Sequence, residues 1–365
     1  MKITRVSTHH LRSPFTYGAG AGGVGGNLHL GGSMDTLLVK IETDTGPHGW
    51  GEGFGFNLVS TTKHAVDRLI APLCVGEDPR DIPALMLKLS RRLHNFGRNG
   101  AVSFGLSAID IALWDIAGRI AGKPLHALLG SAGRKRVPAY ASLLRYGDAA
   151  SVGRNAEAAI ARGYRHIKLH EIALDCIGAA RAAIPADVPL MLDINCAWGS
   201  VEEAIAFGKA VAAPNTRWVE EPTWPPESFG NIARVRASGH TAIAAGENAG
   251  SVEDFRNMFA AGAVDYAQPS VTKIGGVSAM MEIAALAKQA GVAFMPHCPY
   301  FGAGLLATLH ILAAHEVETP IEVYFADLAL APYGHALDVH DGLMRVPDGP
   351  GLGLEPDAAA LAAAV

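Results

Sequence analysis

Seven positions set 25, 27, 27, 23, 27 and 25 residues apart constrain this chain more than any other feature of it. They are Lys168, Asp193, Glu220, Glu247, Ser270, His297 and Glu322, and each closes a short apolar run, such as 188–192 or 242–245. An eighth run ends at Ser142, and Ala-rich helical stretches fill the intervals. The interval is the length of one strand-plus-helix unit, repeated. Runs that are apolar on both faces belong in a parallel sheet covered on both sides, and eight such units close a TIM-type barrel. A doubly wound open sheet would place a Gly-rich turn after its first strand. The segment Leu143-Leu144-Arg145-Tyr146-Gly147 offers none.

The first third has a different texture. Residues 36–42 read as an apolar strand, followed by a turn at Thr45-Gly46-Pro47 and a second strand carrying Gly49-Trp50-Gly51-Glu52, an antiparallel start. The glycine-dense stretch from Tyr17 to Gly32 lacks the strand-then-helix context of a phosphate cradle and reads as a mobile loop. From Lys63 to Leu129 the pattern is helical, with 108–116 its strongest amphipathic run. This predicts an α+β unit over 1–128, a barrel over 129–325 and a terminal segment over 326–365. With 365 residues and 49% hydrophobic content, the chain can bury a large core.

The formal charge of −5 and the lack of any Lys/Arg run longer than Arg134-Lys135-Arg136 argue against nucleic acid or an anionic membrane as main partner. An anionic substrate then needs positive charge placed inside a site. Residues 1–14 carry no apolar leader core, and no uninterrupted apolar stretch reaches the roughly 18 residues of a membrane span. The expected location is cytoplasmic. Cys74, Cys176, Cys196 and Cys298 are scattered, with no C-x-x-C pair, and read as buried free thiols.

Barrel active sites lie at the C-terminal ends of the strands, so the closing residues are the candidates. Asp193, Glu220 and Glu247 come from three successive strands, and three carboxylates converging on one spot cannot all stay ionised without a cation between them. Hard oxygen ligands point to Mg²⁺. A single acid at a strand end is as well explained by a helix cap or an ion pair; three in register are not. Lys168 and His170 stand two apart on one strand and face the same way. With His297 across the ring, they supply the groups that abstraction of a proton next to a carboxylate requires.

With these residues in view, the chain resembles the mandelate racemase branch of the enolase superfamily. The likeness runs from Met1-Lys2-Ile3-Thr4 through Gly49-Trp50-Gly51-Glu52 and the 109–114 helix to the closing segment from Pro347 to Gly353. The resemblance implies an α/β fold, a (β/α)7β-type TIM barrel with an N-terminal α+β capping domain completed by the C-terminal segment. It implies Asp193, Glu220 and Glu247 as Mg²⁺ ligands with Glu221 behind them. The Tyr17-to-Gly32 and Glu52-to-Asn57 loops would close over a small carboxylate substrate, in a homo-oligomer. Glu322 matches an acid that contacts the substrate carboxylate, and Asn195 a position that contacts a substrate hydroxyl.

Two departures from the family pattern matter. Where the family often carries Lys-x-Lys, this chain has Lys168-Leu169-His170, so Lys168 keeps an electrostatic role on the substrate carboxylate and His170 takes the proton. Where the pattern has Gln-Pro-Asp, here stands Gln268-Pro269-Ser270, so His297 lacks its usual anionic partner, which should leave its imidazolium less stabilised. The leading function is dehydration of a sugar acid or other hydroxy acid, with His297 as acid for the leaving hydroxyl. Racemisation or epimerisation and cycloisomerisation share its first half-reaction. A metal-dependent hydrolase would want His-x-His on the first strand, and Ala139-Tyr140-Ala141-Ser142 has none. A non-catalytic barrel would be free to lose its ligands, and all three are present.

Overall fold

The computed structural model describes residues 1–18, 32–130, 133–212 and 215–365. The predicted Gly-rich loop therefore lies, apart from its ends, outside the described residues. Strands β1 (Ile3–Thr16), β2 (Ser33–Thr43) and β3 (His48–Gly53) form an antiparallel sheet, with the turn after β2 passing through Gly46 at φ +101°. The Gly-Trp-Gly-Glu motif follows from what β3 touches. A Cβ at Gly49 or Gly51 would lie 2.1 or 1.9 Å from the carbonyls of Ala112 and Ala108, so only glycine lets the strand press onto the helix Ala101–Ala121.

That helix differs from the amphipathic one expected. Its 21 residues are buried on more than one side, because it is wedged between the sheet and the barrel helix Gly276–Ala290. It is long and apolar enough to cross a membrane, yet 72% of its most apolar window is buried in the fold, as for a core helix. The neighbouring helix Ile82–Leu93 is conventionally amphipathic, burying Ile82, Leu85, Leu89 and Leu93, and is capped by Asp81.

Eight parallel strands follow: β4 (Arg136–Leu143), β5 (Ile167–Leu169), β6 (Leu190–Asp193), β7 (Thr216–Glu220), β8 (Ile243–Ala245), β9 (Tyr266–Ala267), β10 (Ala293–Phe294) and β11 (Ile321–Tyr324). They pair in chain order from β4 to β10, and β11 returns beside β4. Seven helices separate them, which is the (β/α)7β arrangement. Strands β8, β9 and β10 stop two or three residues short of Glu247, Ser270 and His297. The reason is local: Gly246 turns at φ +136°, and Pro269 and Pro296 have no N–H for a ladder. Tyr140, Met191, Trp218, Ala244 and Met295 plug the barrel below its rim.

After β11 the chain runs back along both the first sheet and the start of the barrel. Strand β12 (Asp327–Leu328) pairs with the end of β1, β13 (Val339–His340) and β14 (Leu343–Arg345) form a hairpin on the start of β4, and the Val365 N–H donates to the His10 carbonyl at 2.9 Å. Three of the cysteines are buried as expected. Cys196 is only half-buried, with its Sγ 2.9 Å from Glu221.

Candidate active site

Asp193 and Glu220 are the last residues of β6 and β7 and pair in register, while Glu247 stands two residues past β8. One oxygen from each of the three lies within 4.8 Å of the others. Burial and then the Asp193 charge push the Glu220 carboxyl well above its ordinary range. Burial also opposes ionisation of Asp193 and Glu247. Lys168 and His170 more than reverse it for the first, and His297 with Lys273 holds the second down at about 2. The cluster is all oxygen, and its nearest cation, Lys168, is shared with a fourth acid. Such a donor set fits a hard divalent cation.

The loops are bent to hold these oxygens. Asn195, Cys196 and Glu221 adopt φ of +47°, +57° and +51°, turning the chain sharply after β6 and β7. The turn at Asn195 sends its backbone N–H and side-chain amide to Asp193 Oδ1 at 3.0 and 2.9 Å, which leaves Oδ2 facing Lys168 and His170. Glu221 points behind the cluster. It accepts from Asn248 at 2.8 Å and Cys196 at 2.9 Å, tying three successive loops together, and burial followed by the Glu247 charge raises its carboxyl to about 7.

Lys168 is fully buried, its Nζ 3.0 Å from Glu220, 3.3 Å from Asp193 and 2.7 Å from Glu322. Burial disfavours its charge, but Glu220 and Glu322 hold it well above its ordinary value. Glu322 sits below the rim, with no exposed surface, and its other oxygen accepts the Cys298 N–H at 2.9 Å. Tyr324, the next inward residue of β11, occupies the rim instead. Its ring meets His170 edge-on at 6.2 Å and stacks on Phe56 of the capping domain at 6.3 Å.

The two histidines stand on opposite flanks of the cluster. His170 Nε2 is 3.2 Å from Asp193, and its Nδ1 is 2.6 Å from the Leu143 carbonyl. His297 Nε2 is 2.7 Å from Glu247, and its Nδ1 is 2.5 Å from the Ser270 hydroxyl. The sequence-predicted residues are thus all brought to one place.

Residues 31–130 match the mandelate racemase / muconate lactonizing enzyme N-terminal domain, and residues 151–360 match the enolase C-terminal domain-like family. The chain belongs to this family of the enolase superfamily. It is 34% identical to the D-galactarolactone cycloisomerase of Agrobacterium fabrum over 97% of this chain and 96% of the relative. It is 33% identical to a D-galactonate dehydratase of Ralstonia nicotianae over 85% and 78%. A racemase from Streptomyces coelicolor A3(2), solved with bound magnesium, superposes with a TM-score of 0.85 at 30% identity, over the full length of both chains. As a superfamily member the chain is an enzyme.

Sequence reasoning missed Tyr324, Phe56 and Lys273. Tyr324 was within reach, since it stands two past Glu322 and strand side chains alternate. Phe56 lies in the 52–57 loop that the family resemblance marked as closing over the substrate, but nothing in the sequence singled out the residue, whose φ of +42° depends on how that loop folds. Lys273 lies three residues past Ser270, on the same turn.

Proposed function

We propose that this enzyme removes the proton α to the carboxylate of a sugar acid and expels the β-hydroxyl as water, with Mg²⁺ held by Asp193, Glu220 and Glu247. A bound Mg²⁺ would supply Lewis-acid stabilisation of the negative charge that builds on the substrate carboxylate. Lys168 adds a fixed positive charge on that side, held in place by Glu322. Asn195, at the rim beside Asp193, is assigned to a substrate hydroxyl.

The observation that carries the reading is the different partner at each histidine's Nδ1. A backbone carbonyl can only accept, so His170 keeps its proton on Nδ1, and neutral His170 presents a bare Nε2 to the site. That is a base. The Ser270 hydroxyl can either donate or accept, so it can accept the Nδ1–H of an imidazolium His297, whose Nε2 proton faces the site and can be surrendered to leave the Nδ1–H tautomer. That is an acid. The α-proton goes to His170 Nε2, and the departing hydroxyl takes one from His297.

The test is a screen of sugar acids and their lactones with Mg²⁺ in D₂O, followed by NMR and mass spectrometry. His170→Asn should abolish α-proton exchange, a loss of about 10²–10⁴-fold. His297→Asn should still exchange the proton and fail to release water. Complete loss of exchange in both variants, with metal still bound, would overturn the assignment. Cycloisomerisation is the second reading, favoured by the A. fabrum relative, and it appears in the same screen as a product of unchanged mass.

A further inference from the structure

Lys273 is a buried cation that the proposed chemistry does not use. It is 8% exposed, and among the described residues it forms no ion pair. Its Nζ donates to the backbone carbonyl of Glu247 at 3.0 Å and lies 4.4 Å from the centre of the Phe54 ring. An ammonium taken out of water without a carboxylate is costly unless something repays it. Here a carbonyl dipole, an aromatic face and the field of the Glu247 carboxylate take the place of the hydration shell.

The contacts close a ring. Lys273 grips the main chain of Glu247, His297 grips its carboxylate, Ser270 grips His297, and the Lys273 N–H donates to the Ser270 carbonyl at 2.9 Å. The short turn 270–273 therefore fixes Glu247 at both ends. Phe54 is the one member of this arrangement contributed by the capping domain. It belongs to the 52–57 loop, its N–H donates to the Thr272 carbonyl at 3.4 Å, and its ring meets Phe56 edge-on at 5.1 Å, which in turn stacks on Tyr324.

We infer that Lys273 is a positioning residue through which the capping loop, by way of Phe54, sets the metal affinity of Glu247. The inference rests on the proposed metal site. Residues behind a metal ligand orient it, and their loss typically weakens metal binding 10–100-fold. Phe54 touches Lys273 and also the ring of Tyr300, which meets His297 edge-on, so the double variant is what assigns its effect to Lys273.

The experiment titrates the purified full-length protein with Mn²⁺ and reads Kd from the electron paramagnetic resonance of the free ion. Lys273→Met should raise Kd about tenfold and Lys273→Arg, which keeps both the donor and the cation over the ring, should restore most of it. Phe54→Leu should raise Kd about threefold, and the double variant should be no worse than Lys273→Met alone, because coupled residues are not additive. Wild-type binding together with unchanged Kd in Lys273→Met overturns the inference, as do effects that multiply in the double variant. If Lys273→Met does not fold, Phe54→Leu decides alone, and an unchanged Kd there is fatal. Wild-type protein that takes up no Mn²⁺ defeats the metal site itself, a result distinct from all of these.

Discussion

This protein buries two sets of acids, and they are held in opposite ways. At the seam between the capping domain and the barrel, Asp110 accepts from the Ser278 N–H and hydroxyl at 3.0 and 2.6 Å. Asp115 accepts from the N–H groups of Trp50 and Leu352 at 2.9 and 2.8 Å, with Arg119 alongside, and Glu52 accepts from the Gly304 N–H at 2.6 Å. These acids staple helix starts and loops across the two domains. At the barrel mouth Glu220 and Glu247 face one another and Asp193, and their partners are side chains that carry or can carry positive charge, apart from the Trp218 indole on Glu220. Burial raises the carboxyls at the seam as it raises Glu220. A buried acid is therefore no mark of function by itself. Convergence with too few donors is.

The sharpest test of that contrast is Glu220→Gln. It should abolish Mg²⁺ binding and cut turnover by about a thousandfold or more, since a metal's charge stabilisation is worth several kcal/mol. The metal-free protein should melt at the same temperature or a few degrees higher, because a like charge has been removed from the cluster. Calorimetry with and without Mg²⁺ reads both quantities. A metal-free protein that is clearly destabilised would place Glu220 with the staples.

Asp115→Ala should do the reverse. It strands two buried N–H groups and leaves the partly buried Arg119 with less of its anionic environment, for a loss of about 2–4 kcal/mol. Urea unfolding would show it, while the Kd for Mg²⁺ of the folded protein stays at the wild-type value. A matching loss of metal affinity would break the separation between seam and mouth.

How much of this was legible depends on the range of the interaction. The barrel and the carboxylate trio came from a spacing that repeats along the chain, so Asp193, Glu220 and Glu247 could be placed from local pattern. The seam acids could not, because Asp115 meets Leu352 across 237 residues and Glu52 meets Gly304 across 252. The helix around Asp110 and Asp115 misled for the same reason: its second buried face is created by a barrel that folds much later in the sequence. Asn195 was assigned to substrate, and the hydrogen bond its amide also gives Asp193 was not foreseen, because it depends on a positive φ that the residue type permits but does not announce. The Ser270–His297 pair was the reverse case, a departure from a family pattern whose two side chains do meet.

The smallest effect expected belongs to Glu52, and its sign separates a staple from a ligand. Burial lifts its carboxyl from 4.5 to about 8, against the pull of the N–H groups of Gly304 and Gly302. A carboxyl raised on folding holds its proton in the folded state over a window where the unfolded chain has already released it. Stability from this group is therefore full below about pH 4.5 and is lost as the pH climbs through 8. Glu52→Gln keeps an oxygen for the Gly304 N–H and removes the charge, so it should flatten that slope and raise the melting temperature at pH 8 by about 2–5 °C. Melting curves of both proteins from pH 5 to 9, without metal, decide it. An equal slope in the two would mean that the Glu52 carboxylate is stabilised in its charged form, as a metal ligand is, and the distinction between the two sets of acids would fail at its nearest point to the mouth.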